Sequence, residues 1–226
     1  PRDPESMAWC FVDLGDIYRE RGDAQRALRA AQRALELVPN YHPALVLEAQ
    51  AHLLAGDAKS ARRPLERAVK RHPRVQDLLL LAEISDAKER NALLGRAEAL
   101  AADDPRPLAL YYARHAVKAE RAVELAELEL EARHGIEAHA VHALALVRAG
   151  RHADAERAIG RALALGTQDA DLYLYRALAR WAAGDREGAV NALSRALEIN
   201  PAADPLLATE LSTKLSPSKL RREERP

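Results

Sequence analysis

The chain has 226 residues, of which 48% are hydrophobic and 30% are charged, and its 34 basic residues balance its 34 acidic ones. This composition excludes a disordered or collagen-like chain, and the zero net charge lacks the positive excess typical of nucleic-acid binders. The single cysteine, Cys10, excludes an intrachain disulfide framework. No apolar run approaches the roughly 20 residues that a membrane-spanning helix needs. From the balanced charge we expect no nucleic-acid binding, and from the lack of such a run we expect no membrane insertion.

An eighteen-residue pattern occurs near both ends of the chain, as GDAQRALRAAQRALELVP at 22–39 and as GDREGAVNALSRALEINP at 184–201. The Gly-Asp start at Gly22 recurs 34 residues later at Gly56, and Gly150 precedes Gly184 by the same interval. A period of 34 residues is typical of stacked helix–turn–helix units.

Each unit is expected to contain two helices of about 12–14 residues, rich in the strong helix formers Ala, Leu, Arg and Glu. The Gly-Asp pair ends the first helix and caps the second, because Gly adopts the left-handed conformation and Asp accepts backbone hydrogen bonds. Pro39, Pro73 and Pro201 end the second helix of their units. Alanines at fixed positions let neighbouring helices approach closely, so each copy provides the surface against which the next one packs.

The first unit, together with the 34-residue period, resembles the tetratricopeptide repeat family. That repeat has a bulky residue, then Leu, Gly, Tyr, two Ala and a closing Pro at set positions. In this chain these positions are occupied, in order, by Phe11, Leu14, Gly15, Tyr18, Ala27, Ala34 and Pro39. The resemblance is strong over 8–73 and 136–201 and weak over 74–135, where two compressed units are predicted. It implies an all-α fold, a right-handed α-solenoid of about six helix–turn–helix repeats with a C-terminal capping helix.

The predicted domain organisation follows from this register. We expect an N-terminal leader over 1–7, a solenoid over 8–215 and a disordered tail over 216–226. The solenoid is divided into six units and a cap, at 8–41, 42–74, 75–104, 105–135, 136–169, 170–203 and 204–215. In the cap, Asp204 is the expected N-cap and Pro205 the first helical residue, followed by an apolar stripe of Leu206, Leu207, Leu211 and Leu215.

The resemblance places a partner-binding groove on the concave side of the solenoid, lined by the first helix of each unit. The candidate residues are Asp16, Arg19, Val46, Gln50, Leu53, Leu144, Val147, Arg148, Leu174, Tyr175, Leu178 and Trp181. In the last two units, the apolar candidates are expected to form a trough with an aromatic floor, since Trp and Tyr are frequent binding anchors. The alternative is that these side chains pack under the helix at 204–215.

The chain carries no catalytic motif. Its glycines occur singly, and it has neither a phosphate-binding loop, a nucleophile elbow nor a His-Glu-x-x-His pair. His139 and His142 lie three residues apart and could together ligate a metal, but both occupy positions that pack against their own second helix. We therefore expect no enzyme activity, no cofactor and no metal.

These expectations favour a non-catalytic scaffold or adaptor that binds a peptide or helix of a partner protein in its concave groove, with a cytoplasmic location. One alternative is a recruiting or regulatory domain of a larger enzyme or signalling protein. The other is a self-assembling scaffold, because 59–74 is predominantly basic and 120–137 predominantly acidic, which would allow copies of the chain to associate.

Overall fold

The computed structural model describes residues 3–164, 166–201 and 203–216, and over these ranges it has thirteen α-helices and no β-strand. The chain divides into two compact units, Pro1–Ala102 and Asp103–Pro226, here called unit 1 and unit 2. The predicted disordered tail at 216–226 lies outside the described residues, apart from Ser216.

Unit 1 contains six helices, each packed against the next, and its first and third helices also pack against each other. The helices are α1 (Pro4–Glu20), α2 (Ala24–Leu37), α3 (His42–Leu54), α4 (Ala58–Arg71), α5 (Val75–Glu83) and α6 (Ala87–Leu100). The core between α1, α2 and α3 is built from small and aliphatic side chains, among them Ala8, Val12, Ala31, Ala44, Leu47 and Ala51.

Unit 2 repeats this arrangement with seven described helices. These are α7 (Pro105–Arg114), α8 (Ala119–Ala132), α9 (Ile136–Arg148), α10 (His152–Leu163), α11 (Ala170–Ala182), α12 (Arg186–Ile199) and α13 (Pro205–Lys214). Each helix from α7 to α11 packs against the next, α9 also packs against both α7 and α11, and α13 packs against α11. The first helices of successive pairs therefore form a continuous layer within the unit.

The turns between paired helices have the chemistry that the repeated Gly-Asp predicts. Gly22, Gly56, Gly150 and Gly184 all have φ between 76° and 84°, a region that favours glycine. The aspartates that follow three of them cap the second helix, as Asp23 does by accepting a hydrogen bond from the backbone N–H of residue 26 at 2.9 Å. The predicted cap-and-stop role of Gly-Asp is confirmed at these three turns.

Fully buried small side chains lie where the helices meet. Eight alanines that recur at 34-residue spacings are 0% exposed, namely Ala27, Ala34, Ala61, Ala68, Ala155, Ala162, Ala189 and Ala196. At Gly15, a Cβ would lie 3.2 Å from the Cβ of Ala30 and would collide with the side chain of Leu47. Small residues therefore set how closely α1, α2 and α3 approach one another.

The first helix begins earlier than expected. α1 starts at Pro4, inside the segment 1–7 that was predicted as a leader. The cause is a local cap, because the Asp3 side chain accepts a hydrogen bond from the Ser6 backbone N–H at 2.9 Å and Pro4 has the fixed φ that suits the first helical position.

We predict that Gly15→Val lowers the free energy of unfolding by about 1–3 kcal/mol, because the added atoms overpack the junction of three helices. Gly95→Ala is the matched control, since Gly95 lies in α6 and a Cβ added there would have no neighbouring atom within 4 Å. This substitution should raise the free energy of unfolding by up to about 1 kcal/mol, because Ala has a higher helix propensity than Gly. Urea unfolding followed by circular dichroism measures both. Equal effects of the two substitutions would contradict the account of Gly15 as a contact residue.

Candidate partner-binding surfaces

The α1–α3 face of unit 1 consists of Trp9 and Asp16 on α1, and of Val46, Gln50 and Leu53 on α3. The spacing within each set places its members on one side of their helix, and the two helices pack against each other. Trp9 is 56% exposed, whereas the three residues of α3 are half-buried. The face thus combines a largely exposed indole with a half-buried apolar strip on the adjacent helix.

Carboxylates dominate the α1 side of this face. Asp16 accepts a hydrogen bond from Arg19 Nε at 3.0 Å, and Arg19 Nη2 lies 3.7 Å from Glu20 Oε1. Asp13 is exposed on the same side of the helix. Arg19, a predicted partner-binding residue, is therefore held by acidic side chains of its own helix, and the local charge is negative.

The basic run at 59–74, which suggested self-assembly, is partly paired within unit 1. Arg62 donates hydrogen bonds to Glu66 and Glu89, at 3.2 Å and 2.9 Å, and Arg67 donates one to the side-chain oxygen of Asn40. These pairs reduce the charge that this segment presents to another molecule.

In unit 2, the apolar candidate residues do not line an open trough. Leu144 and Leu174 are 0% exposed, Leu178 is 2%, Tyr175 is 4% and Val147 is 7%. The expectation of an exposed apolar trough is wrong for these five residues, and the structure has the alternative arrangement in which they are packed.

Neighbouring helices bury these side chains: α9 packs against α7, α8, α10 and α11, and α11 packs against α9, α10, α12 and also α13, whose Leu207 and Leu211 are 0% exposed. Arg148 of α9 donates two hydrogen bonds to Glu210 of α13, at 2.8 Å and 2.6 Å. Arg148, a predicted partner-binding residue, is therefore already bound to a carboxylate of its own chain. Such bidentate pairs are among the strongest hydrogen bonds that side chains make.

Both ends of α13 are also held. At its start, Asp204 caps the helix as predicted and pairs with Arg114 of α7, with 2.6 Å between Arg114 Nε and Asp204 Oδ2. At its end, Lys214 Nζ lies 3.9 Å from the centroid of the Trp181 ring. A cation over an indole contributes about 0.5–1 kcal/mol at exposed sites and more where water is excluded.

The pKa values of groups near α13 follow from burial and charge. Burial alone would raise the pKa of Glu210, but the hydrogen bonds from Arg148 and the charges of Arg148 and Lys214 lower it below its ordinary value. Burial, together with the charges of Asp171 and Asp204, raises the pKa of Tyr175 above its usual range. Glu210 is thus anionic and Tyr175 neutral near pH 7.

Sequence reasoning missed Arg114, Glu210 and Lys214 as members of this arrangement. The available signal was that the helix at 204–215 carries carboxylates and a lysine beside its leucines. That pattern indicates an amphipathic helix, but it does not say which arginines the carboxylates will meet.

The histidines considered as metal ligands lie half-buried on α9. Burial lowers the pKa of both His139 and His142, and His142 Nε2 lies 3.7 Å from Glu127 Oε1. Within the described part of the chain, no group of three or more His, Cys, Asp or Glu side chains could hold a metal ion. None of the thirteen described helices has both the length and the hydropathy needed to cross a bilayer.

Paired helices at a 34-residue spacing, glycine–aspartate turns and buried alanines define an all-α helical-repeat protein. Residues 18–84 match a family model described as tetratricopeptide repeat, and residues 141–204 match a second model with the same description. Together the matches cover more than half of the chain, which therefore belongs to the tetratricopeptide repeat family. Comparison with curated protein sequences gives no match.

Solved structures support the same fold. A chain of the APC/C hetero-tetramer Cut9–Hcn1 matches with a TM-score of 0.61 and 20% identity. The match covers 95% of the present protein but only 43% of the Cut9–Hcn1 chain, so the present protein spans less than half of that chain's length. PilF of Pseudomonas aeruginosa matches with a TM-score of 0.53 and 19% identity, over 93% of this chain and 99% of its own. PilW, a widely conserved type IV pilus biogenesis factor, matches with a TM-score of 0.55 and 17% identity, over 90% and 98%. The predicted all-α solenoid class is confirmed.

We predict that acid destabilises the protein partly through His139 and His142. Because burial lowers their pKa below the ordinary value of 6.5, the unfolded chain takes up protons before the folded chain does, and stability present above pH 6.5 is lost as the pH falls. Between about pH 7.5 and about pH 5.5, the free energy of unfolding should fall less in His139→Gln/His142→Gln than in the wild type. Identical pH slopes in the two proteins would contradict this assignment.

Proposed function

We propose that the protein is an interaction scaffold whose α1–α3 face binds a partner segment with an apolar anchor and basic flanks. Tetratricopeptide repeats generally mediate protein–protein interactions, and proteins of this family are typically non-catalytic scaffolds. The observation that carries the proposal is Trp9, an indole that is 56% exposed on a face shared with carboxylates.

The apolar part of the partner is suited to Trp9 and its neighbours on α3. Exposed aromatic residues are frequent anchors whose truncation costs about 2 kcal/mol or more when they are central to an interface. Val46 and Leu53 extend the apolar surface on the adjacent helix, and the Gln50 amide can both donate a hydrogen bond to and accept one from a peptide backbone.

The basic flanks follow from the charge of the α1 side. Asp13, Asp16 and Glu20 outnumber the single guanidinium of Arg19, so a positively charged segment is attracted and an acidic one repelled. Because exposed ion pairs contribute only about 0–1 kcal/mol each, this charge acts mainly on the choice of partner, while the affinity comes from the apolar anchor.

The proposal is tested with two synthetic peptides that share a central Leu-Leu-Phe segment and differ only in flanking lysines or glutamates. The lysine-flanked peptide should bind more tightly, and Trp9→Ala should weaken its binding by at least about tenfold, equivalent to 1.4 kcal/mol. Isothermal titration calorimetry with the full chain measures both effects.

Leu14→Ala is the matched control. Leu14 lies on the same helix and is 40% exposed, but its separation of five positions from Trp9 places it on a different side of α1. Its replacement should leave peptide binding unchanged. Equal affinity for both peptides, or equal losses from the two substitutions, would contradict the assignment of the α1–α3 face.

A further inference from the structure

Side chains from three helices of unit 2 form a surface that holds α13. Arg114 lies at the end of α7, Arg148 at the end of α9 and Trp181 near the end of α11. We call this surface, made by Arg114, Arg148 and Trp181 with the apolar side chains around them, the α13 site. It presents two guanidinium groups and an indole.

Arg148 is oriented by contacts that do not involve α13. Its Nε donates a hydrogen bond to the backbone carbonyl of Ala113 at 2.8 Å, and its Nη2 lies 3.5 Å from that of Arg114. These carbonyls belong to the last turn of α7. The contacts with α7 orient the guanidinium group and so fix where a carboxylate must lie on any helix that binds here.

α13 meets the site with a defined pattern of side chains. Asp204 and Glu210 pair with the two arginines, Leu207 and Leu211 are fully buried, and Lys214 lies over the indole. In sequence, this is Asp-x-x-Leu-x-x-Glu-Leu-x-x-Lys. The pattern specifies the ligand chemistry of the site, an amphipathic helix with leucines on one side and acids at two set positions.

α13 is a short helix with little helix-to-helix packing. It has 10 residues, and helices shorter than about 12–15 residues are marginal in water without their packing partners. Among the described residues, its main helix-to-helix contact is with α11 and is smaller than the contacts that join the other neighbouring helices, while α7 and α9 reach it through arginine side chains. Elements held in this way open locally at a lower free energy than the helices of a core.

We propose that α13 is an exchangeable internal ligand of this site, and that an amphipathic helix of a partner protein with the same pattern takes its place. While α13 is bound the site is closed, so the apparent affinity for a partner helix is reduced by the fraction of molecules in which the site is open. The α13 site belongs to unit 2 and operates whether or not the α1–α3 face binds a peptide.

The test uses a fluorescein-labelled peptide of residues 203–216 and the full chain, with binding followed by fluorescence anisotropy. In Leu207→Asp/Leu211→Asp, the chain's own helix can no longer bury its apolar side, and the site is left open. The labelled peptide should bind this released chain at least about tenfold more tightly than it binds the wild type, in which α13 competes.

Recognition of the acid is tested in the same released background. Arg148→Gln should weaken peptide binding by at least about tenfold, because it removes a bidentate charged pair. Arg151→Gln is the matched control, since Arg151 is a nearby arginine that pairs with Asp154 and Glu127, and its replacement should leave binding unchanged.

A released chain that keeps its helical circular dichroism but binds no peptide would overturn the proposal. So would equal binding by the released chain and the wild type, because α13 would then not be occupying the site. If the released chain loses its helical circular dichroism instead, α13 is a fixed part of the core and the proposal also fails. None of these results bears on the lysine-flanked peptide and Trp9, so the two proposals fail separately.

Discussion

Within each unit, neighbouring helices approach one another at alanines that are buried from solvent. Because alanine presents only a methyl group, two helices can come close at these points while the longer side chains beside them interdigitate. The alanines recur after 34 residues, so the contact that joins one helix pair to the next is repeated along each unit. A single pair cannot bury its apolar side alone, and packing against neighbours is therefore what stabilises every element.

The first helices of each unit have a side on which we propose that other molecules bind, and this side carries different chemistry in the two units. In unit 1 that side has the exposed Trp9 among carboxylates, whereas in unit 2 it has Arg114 and Arg148 beside Trp181. Both units thus have an indole beside charged side chains, but these side chains are acidic in unit 1 and basic in unit 2. In unit 2 the surface is already covered by α13, so the chain itself displays the kind of helix that the surface fits.

Local chemistry made much of the fold predictable from the sequence. The Gly-Asp turns depend on hydrogen bonds from a backbone N–H to the aspartate side chain three residues earlier, such as the one from Gly188 N–H to Asp185 Oδ1, and a sequence pattern contains that information. The start of α1 at Pro4 was missed, although Asp3-Pro4 repeats the Asp204-Pro205 pair that identified the start of α13.

The burial of the unit 2 trough was not predictable in the same way. Glu210 lies 62 residues from Arg148 in sequence, and Asp204 lies 90 residues from Arg114. Helical periodicity identified the apolar sides of α9, α11 and α13. It does not determine whether such a side meets a partner, solvent or another helix of the same chain, because that depends on where the chain turns after α12.

If α13 occupies a binding surface and is not an integral part of the stack, it should open while the helices that it packs against stay closed. Amide hydrogen exchange of the full chain, followed by mass spectrometry, distinguishes the two arrangements. We expect residues 206–214 to exchange together through a local opening while α9 and α11 remain protected, and we expect Glu210→Ala to speed exchange in α13 alone. If α13 exchanges only in step with α11, in both the wild type and Glu210→Ala, then α13 is an integral part of the stack.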